Sequence, residues 1–292
     1  MLTSRYSLGF TGGSAQNPVR IKANDGHLVL DNTAGFAASL DNKNLELTTL
    51  TAGKDIRFAG GTVSGNRVWL FSAGNIDNIA PSTTSWREIC AGDCTWKMEA
   101  AGGIGATHPI RAEADWVGGL KTQGAGTAGN IRVNFVNPGG IPRLSYLNTD
   151  AASAQNVAID ANLFQFSTNA PGFGGASASA NDNVTLTVTD RLYFSNASVP
   201  VFGSFTAVAG NSIFREPGGG FTDVWLDAIG AVSRTATNGA IGTAADLARF
   251  GTTGSLTLSG GTNVYFNVGA NPINDATLAG ISSGAATGTI AL

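Results

Sequence analysis

The chain has 292 residues, of which 13% are charged, with 40 Gly, 9 Pro and a net charge of -3. Because no basic run accompanies the negative charge, the sequence predicts no binding to nucleic acid or to an anionic membrane surface. The glycines follow no period of three, which excludes collagen and favours a fold with many tight turns. No stretch of 18 apolar residues occurs, so we expect no membrane-spanning segment.

Two similar five-residue motifs, here called words, occur in the N-terminal half of the chain. The first is Asn17-Pro18-Val19-Arg20-Ile21, and the second is His108-Pro109-Ile110-Arg111-Ala112, which lies 91 positions further along. Self-similarity of this kind, among short stretches punctuated by glycine, indicates a chain built by stacking similar units.

Stretches in which apolar and polar residues alternate recur along the chain, and each is typical of a half-buried strand. They are residues 45–48, 131–135, 184–189, 256–258 and 264–268. Helix signals are nearly absent. The one candidate is 243–250, where Thr243 is placed to cap a turn or two of helix.

A short turn motif that repeats along the chain, here called the turn word, distinguishes a β-solenoid from a β-sandwich. Residues 52–56 read Ala-Gly-Lys-Asp-Ile, a similar word begins 21 residues later at Ala73, and a third begins at Ala128. About 20 residues is a typical coil length for a parallel β-helix. A β-sandwich would also show short strands, but it does not need the same turn word at coil spacing, so we favour the β-helix.

The segment 79–99 departs from the repeat style. It holds Trp86, Trp96 and the two cysteines of the chain, Cys90 and Cys94. We expect a loop or hairpin that projects from the solenoid. The alternative is that both tryptophans fold down over apolar rungs.

The cysteine spacing predicts a structural disulfide between Cys90 and Cys94, which would contribute roughly 2 kcal/mol by closing a small loop in an oxidising compartment. Free thiols are the alternative. A metal site is disfavoured because it needs two more ligands, and neither His27 nor His108 has ligand spacing to this pair.

A candidate binding surface lies at residues 221–227. Strand alternation places Asp223, Trp225 and Asp227 on one face. An aromatic plate flanked by carboxylates is suited to stacking on a sugar ring and to accepting hydrogen bonds from its hydroxyls, so these three residues are candidate carbohydrate-binding residues. Paired carboxylates could also serve glycoside hydrolysis. In the simplest alternative, Trp225 shields the edge of a rung while both aspartates stay solvated.

Other chemistry finds little support. The Gly-x-Ser-x-Gly pattern at 280–284 matches a nucleophile elbow, but that motif needs a histidine later in the chain, and none follows His108. No phosphate-binding glycine loop, cluster of metal-binding carboxylates or dinucleotide fingerprint is present. We therefore expect no catalytic residue, no metal and no cofactor.

The proline words at Pro18 and Pro109, followed by Ala128-Gly129-Asn130-Ile131-Arg132-Val133, resemble the repeats of filamentous haemagglutinin-like exoproteins. These are very large bacterial surface proteins of the two-partner secretion class. The resemblance covers residues 12–140 most clearly. It implies an all-β, right-handed parallel β-helix, an outer-membrane transporter as a partner during export, and a location that is secreted or at the cell surface of a Gram-negative bacterium.

Together these features predict a single β-solenoid module over 1–292, as an excerpt or repeat unit of a larger exoprotein, with 79–99 as a disulfide-pinned extension. The expected function is non-enzymatic: adhesion, or service as a structural subunit of an extracellular filament. The expected partners are copies of the chain in end-to-end contact and host or environmental glycans. The alternative is a carbohydrate-processing β-helix enzyme, of polysaccharide lyase or glycoside hydrolase type. The thin spread of charged residues disfavours it.

Overall fold

The computed structural model describes residues 19–31, 37–80, 86–88, 95–113, 117–136, 141–149, 152–166, 182–194, 198–215, 225–228, 230–245, 247–249, 251–252, 255–267, 278–283 and 290–291. The chain divides into two compact units, Met1–Pro142 (unit 1) and Arg143–Leu292 (unit 2). Over the described ranges both units consist of parallel strands, and no α-helix occurs there. Accordingly, no helix among these residues is long and apolar enough to cross a bilayer.

Unit 1 contains eleven strands in its described part, joined by short turns and one 3-10 helix at Gly126–Gly129. The strands are β1 (Val19–Ala23), β2 (Leu28–Asp31), β3 (Ala37–Thr49), β4 (Ile56–Ala59), β5 (Thr62–Ser72), β6 (Ile76–Asn78), β7 (Trp86–Glu88), β8 (Thr95–Ala100), β9 (Ile110–Glu113), β10 (Val117–Thr122) and β11 (Ile131–Phe135).

The strands of unit 1 stack in three parallel ladders. One ladder runs β1, β3, β5, β8, β10. A second runs β2, β4, β6. The third joins the N-terminal part of β5 to β7, β9 and β11. Each ladder shows one side of its strands to the interior and the other to the outside, because side chains alternate along a strand.

A column of branched apolar side chains fills the interior beside the second ladder. Each residue lies directly above the next through parallel pairing, and every one is at most 2% exposed. The column consists of Leu28, Ile56, Ile76, Ile104 and Ile131. The last residue of each repeated turn word, at Ile56, Ile76 and Ile131, belongs to this column, so the word does mark coil positions as predicted.

Unit 2 repeats the same principle. Its strands are β12 (Arg143–Asn148), β13 (Asn156–Ala161), β14 (Phe164–Phe166), β15 (Asn183–Val188), β16 (Leu192–Phe194), β17 (Ser198–Phe202), β18 (Ser204–Ala209), β19 (Ile213–Arg215), β20 (Trp225–Ala228), β21 (Val232–Ala236), β22 (Ala248–Arg249), β23 (Gly251–Thr252), β24 (Leu256–Gly260), β25 (Val264–Asn267), β26 (Leu278–Ser283) and β27 (Ile290–Ala291). Its longest ladder runs β13, β15, β18, β21, β24, β26.

The interior of unit 2 contains a charged residue. Arg234 of β21 is 2% exposed and pairs in register with Ala207 and Leu258. Its guanidinium carbon lies 4.1 Å from the centroid of the Phe194 ring and 5.8 Å from that of Phe205. Burial disfavours the charged form and lowers the pKa of Arg234 to about 9.

The parallel ladders confirm the predicted all-β, parallel β-helical fold, and each of the five stretches of alternating residues coincides with a strand over 45–48, 131–135, 184–188, 256–258 and 264–267. The helix predicted at 243–250 is wrong for the residues that the structure describes there. They form a turn at Ala244 and Ala245, followed by β22. Ala248 and Arg249 pair with Phe266 and Asn267 of β25, and this pairing satisfies backbone groups that a helix would withdraw from the ladder.

Part of the segment 79–99 belongs to the ladders. β7 pairs with β5 and β9, and β8 pairs with β5 and β10. Trp96 of β8 is fully buried, with its ring centroid 5.5 Å from that of Phe135. For Trp96, the alternative of folding down over the apolar rungs is therefore what the structure has. Cys90 and Cys94 lie outside the described residues, so their disulfide stays a prediction.

The two proline words do not occupy equivalent places. The residues after Pro18 form β1, in the first ladder of unit 1, whereas those after Pro109 form β9, in the third ladder. Both words introduce a strand with apolar residues at alternate positions. The two words are similar because each begins a strand of this pattern, although the two strands occupy different positions in the coil.

Candidate functional site

The outer side of the first ladder of unit 1 carries charged and aromatic side chains. Residues in register across the strands form two neighbouring columns on this side. We call their charged and aromatic members the aromatic-basic face: Arg20, Glu46, Trp69 and Lys97 in one column, and Lys22, Phe71, Glu99 and Lys121 in the other. Five strands about 4.8 Å apart give the face a length of roughly 19 Å.

Two aromatic side chains occupy the centre of the aromatic-basic face. Trp69 and Phe71 are two residues apart on β5, and both are partly exposed. In register, Trp69 stands between Glu46 and Lys97, and Phe71 stands between Thr48 and Glu99. The indole nitrogen of Trp69 is itself buried and has no hydrogen-bond acceptor in the described part. Such a group costs about 1–3 kcal/mol, which makes Trp69 a candidate for a role other than stability.

Ion pairs organise the charges on both sides of these rings. Arg20 Nε lies 3.0 Å from Glu46 Oε2. On the other side, Lys97 Nζ pairs with Glu99 Oε1, and Lys121 Nζ is 4.0 Å from Glu99 Oε2. Lys97 Nζ also lies 5.7 Å from the centroid of the Phe71 ring. Pairs this exposed contribute little to stability, so their main consequence is to fix where charge is presented.

A shallow depression of about 260 Å³ lies at the end of the face where the strands lead into turns. Phe71, Glu99, Lys121 and Gln123 line it, together with Thr49, Ser72, Ala73, Ala100 and Ala101. It offers one aromatic surface, one anion, one cation and one amide. This volume is below the roughly 300–1,000 Å³ of pockets for drug-sized ligands, so it suits one unit of a longer molecule.

Polar side chains also form a column beside the apolar column of unit 1. His27 Nδ1 accepts a hydrogen bond from the backbone N–H of Asp55 at 2.9 Å. Asp55 Oδ1 accepts from the N–H of Asn75, and Asn75 Oδ1 accepts from the N–H of Gly103, both at 2.8 Å. Each side chain thus satisfies a backbone donor of the next coil. This column holds coils together and is not a candidate for chemistry.

The residues predicted to bind carbohydrate fall only partly within the described ranges. Asp223 lies outside them. Trp225 and Asp227 lie in β20, which pairs with β17 and β23, with Trp225 opposite Ser198 and Asp227 opposite Gly251. The predicted strand is therefore present from Trp225, and the binding role of Asp223, Trp225 and Asp227 stays a prediction.

No group of three or more His, Cys, Asp or Glu side chains in the described ranges is arranged to hold a metal ion. Comparisons with protein-family models, with curated proteins and with solved structures found no match.

Sequence reasoning missed the aromatic-basic face. The run Val68-Trp69-Leu70-Phe71 is apolar throughout, so alternation could not reveal which two side chains point outward. The alternation in Lys97-Met98-Glu99 was a usable signal, because it places two opposite charges on one side of a strand. Nothing in the sequence, however, indicates that these strands are neighbours in one ladder.

Proposed function

We propose that the chain is a non-enzymatic, secreted cell-surface solenoid that works in adhesion by binding an extended glycan along the aromatic-basic face. The observation that carries the proposal is the outward pair Trp69 and Phe71, flanked by charged side chains on neighbouring strands of one ladder. Aromatic rings offer an apolar plate to the C–H face of a sugar, and charged groups bond its hydroxyls.

The repeats that resemble filamentous haemagglutinin-like exoproteins support the proposed location and the route of export through an outer-membrane transporter. The length of the face, five strands in register, supports an extended ligand. A rigid scaffold of stacked coils presents its side chains with little loss of conformational entropy on binding, which favours affinity for a polymer that lies along several strands.

Affinity electrophoresis through gels that contain polysaccharides tests this proposal. The whole chain should be retarded by at least one polysaccharide, and Trp69→Ala should weaken that retardation about tenfold because the stacking plate is lost. Thr206→Ala is the matched control, since Thr206 is an outward residue of β18 in unit 2. Equal losses in both variants, or no retardation by any polysaccharide, would contradict the proposal.

A second candidate function, end-to-end assembly into a filament, is favoured by one observation. The inward residues of β1, Val19, Ile21 and Ala23, are partly exposed, whereas Leu45 and Leu47, beside them on β3, are at most 1% exposed. Among the described strands, β1 is the first along the chain and pairs in register with β3. An edge of this kind accepts a further strand, here from a second copy.

Electron microscopy across a range of protein concentrations tests assembly. Filaments with a regular axial repeat should form, and Ile21→Lys should abolish them because it places a charge in the apolar contact. Val29→Lys is the control, since Val29 alternates with the buried Leu28 and Leu30 on β2 and so lies on its outer side. Isolated short rods at every concentration would leave adhesion as the sole proposed function.

A further inference from the structure

The aromatic-basic face has an excess of positive charge although the chain is acidic. Arg20, Lys22, Lys97 and Lys121 outnumber Glu46 and Glu99 by two, while the whole chain has a net charge of -3. A local field of opposite sign to the net charge selects for an anionic partner.

The four cationic side chains of the face differ in how closely they pair with carboxylates of the protein. Arg20 is paired with Glu46, and Lys97 is paired with Glu99. Lys121 is only loosely held, with Nζ 4.0 Å from Glu99, and Lys22 is exposed and makes no ion pair in the described ranges. Lys121 and Lys22 stand at opposite ends of one column. Both can bind anionic groups of a ligand without breaking a close ion pair.

The depression beside Lys121 combines this cation with features that suit one sugar ring. Phe71 supplies an apolar plate, Glu99 can accept hydrogen bonds from sugar hydroxyls, and Gln123 can donate to or accept from them. A carboxylate on the same ring would reach Lys121, where a charge-assisted hydrogen bond is stronger than a neutral one.

We infer that the aromatic-basic face binds a polymer of hexuronate sugars, with one uronate carboxylate on Lys121 and its ring against Phe71. This inference rests on the proposed glycan-binding function of the same face. A densely sulfated chain fits less well, because an excess of two cations cannot neutralise several sulfates near Glu46 and Glu99. Bulky substituents would also keep the sugar ring away from Phe71.

The first test compares polygalacturonate with its methyl ester, which keeps the same sugar backbone but removes the charge. Titration calorimetry of the whole chain should give at least about tenfold tighter binding to the free acid, since a charge-assisted hydrogen bond is lost in the ester. Added salt should weaken binding of the acid and leave that of the ester nearly unchanged.

The second test uses variants to locate the proposed contact between the uronate carboxylate and Lys121. Lys121→Gln should lose about tenfold in affinity for polygalacturonate and little for the ester. Arg132→Gln is the matched control, because it removes the same charge from an exposed position on β11, in the third ladder. Trp69→Phe keeps an aromatic plate without the buried, unpaired N–H, so it should retain most of the binding that Trp69→Ala loses.

The outcomes separate the inference from the function on which it rests. Equal affinity for the acid and the ester, or for the Lys121→Gln variant and wild type, overturns the hexuronate assignment and leaves glycan adhesion standing. Absence of binding to any polysaccharide overturns both. Tighter binding to dextran sulfate that Trp69→Ala leaves unchanged overturns the assignment too, since it would reflect net charge alone.

Discussion

The longest ladders of the two units share a backbone plan and differ in what they present outward. In unit 1 the outer columns hold tryptophan, phenylalanine and six charged residues. In unit 2 the equivalent positions are mostly hydroxyls, in one column Thr185, Thr206, Ser233 and Thr257. Parallel pairing and apolar inward residues are common to both. The inward residues therefore build the solenoid, and the outward residues are free to differ and to specify a ligand.

The largest expected loss of stability distinguishes the inward Trp96 from the outward Trp69 in unit 1. Trp96→Ala should lower the free energy of unfolding by about 3–5 kcal/mol, because it empties a fully buried site beside Phe135. Trp69→Ala should lower it far less, since Trp69 is partly exposed. Urea unfolding measures both. Similar losses would mean that Trp69 serves packing, which would undermine the proposed site.

Gly118→Ala is a second way to disturb the Trp96 site without removing the ring. A Cβ at Gly118, which lies in register with Trp96, would overlap the indole. We expect a cost of about 1–3 kcal/mol from overpacking, again read from urea unfolding. Gly126→Ala is an instructive contrast, because its Cβ would meet open space and only its positive φ of 56° opposes the change.

The buried arginine of unit 2 predicts a dependence of stability on pH. Burial lowers the pKa of Arg234 from its usual high value to about 9 in the folded state, so the unfolded state binds more protons above about pH 9. The stability of the wild type relative to Arg234→Met should therefore rise as the pH increases above about 9. Unfolding of both proteins across this range measures it. A difference that stays constant with pH would contradict the assigned burial of the charge.

Both units contain polar side chains that accept hydrogen bonds from backbone N–H groups of a neighbouring coil, and the two units use different residue types. In unit 1 the Asp55 carboxylate accepts from Asn75 N–H and from Arg57, with Nη2 at 2.7 Å. In unit 2 the Ser212 hydroxyl does a similar task for Ala240 N–H at 3.1 Å. Asp55→Ala should cost about 1.5–3 kcal/mol and Ser212→Ala about 0.5–1.5, because bonds to charged groups are stronger. Thermal unfolding of the two variants provides the ranking.

The smallest expected effect on stability concerns Trp225 in unit 2, which the sequence predicts to stack on a sugar ring. Trp225→Ala should leave the thermal midpoint nearly unchanged and weaken binding to a neutral glycan. It should not alter binding to polygalacturonate, because Asp223 and Asp227 would repel carboxylates. Calorimetry with both ligands separates this plate from Trp69. An equal loss of stability and binding would favour a packing role for Trp225.

Alternation along single strands was predictable, and the stacking of strands was predictable only in part. The turn word that ends at Ile56, Ile76 and Ile131 correctly marked one apolar column, since each coil must return the chain to the same place. Between Ile76 and Ile131 the column passes through Ile104, and the preceding residues Ala101-Gly102-Gly103 repeat the word with Gly in place of Asn. The proline words misled, in contrast, because similar local sequences can begin strands in different ladders.

The failed helix at 243–250 shows the limit of local signals. Thr243 followed by alanines and leucine satisfies helix propensity, but Ala248 and Arg249 pair with β25 instead. Tertiary pairing overrides a propensity of a few tenths of a kcal/mol per residue. The same limit hid the aromatic-basic face, whose members are contributed by β1, β3, β5, β8 and β10 from across some 100 residues of chain.

An all-β stack of short strands follows from the sequence alone, because period-two alternation and glycine turns are local properties of each segment. Which outward residues become neighbours depends, in contrast, on the tertiary structure. Register between coils of 20 to 28 residues is set by the fit of whole apolar columns, such as Ile56 on Ile76 and Ile76 on Ile104. A displacement of one residue would turn Trp69 and Phe71 inward. Their place beside Lys97, Glu99 and Lys121 is thus a product of core packing.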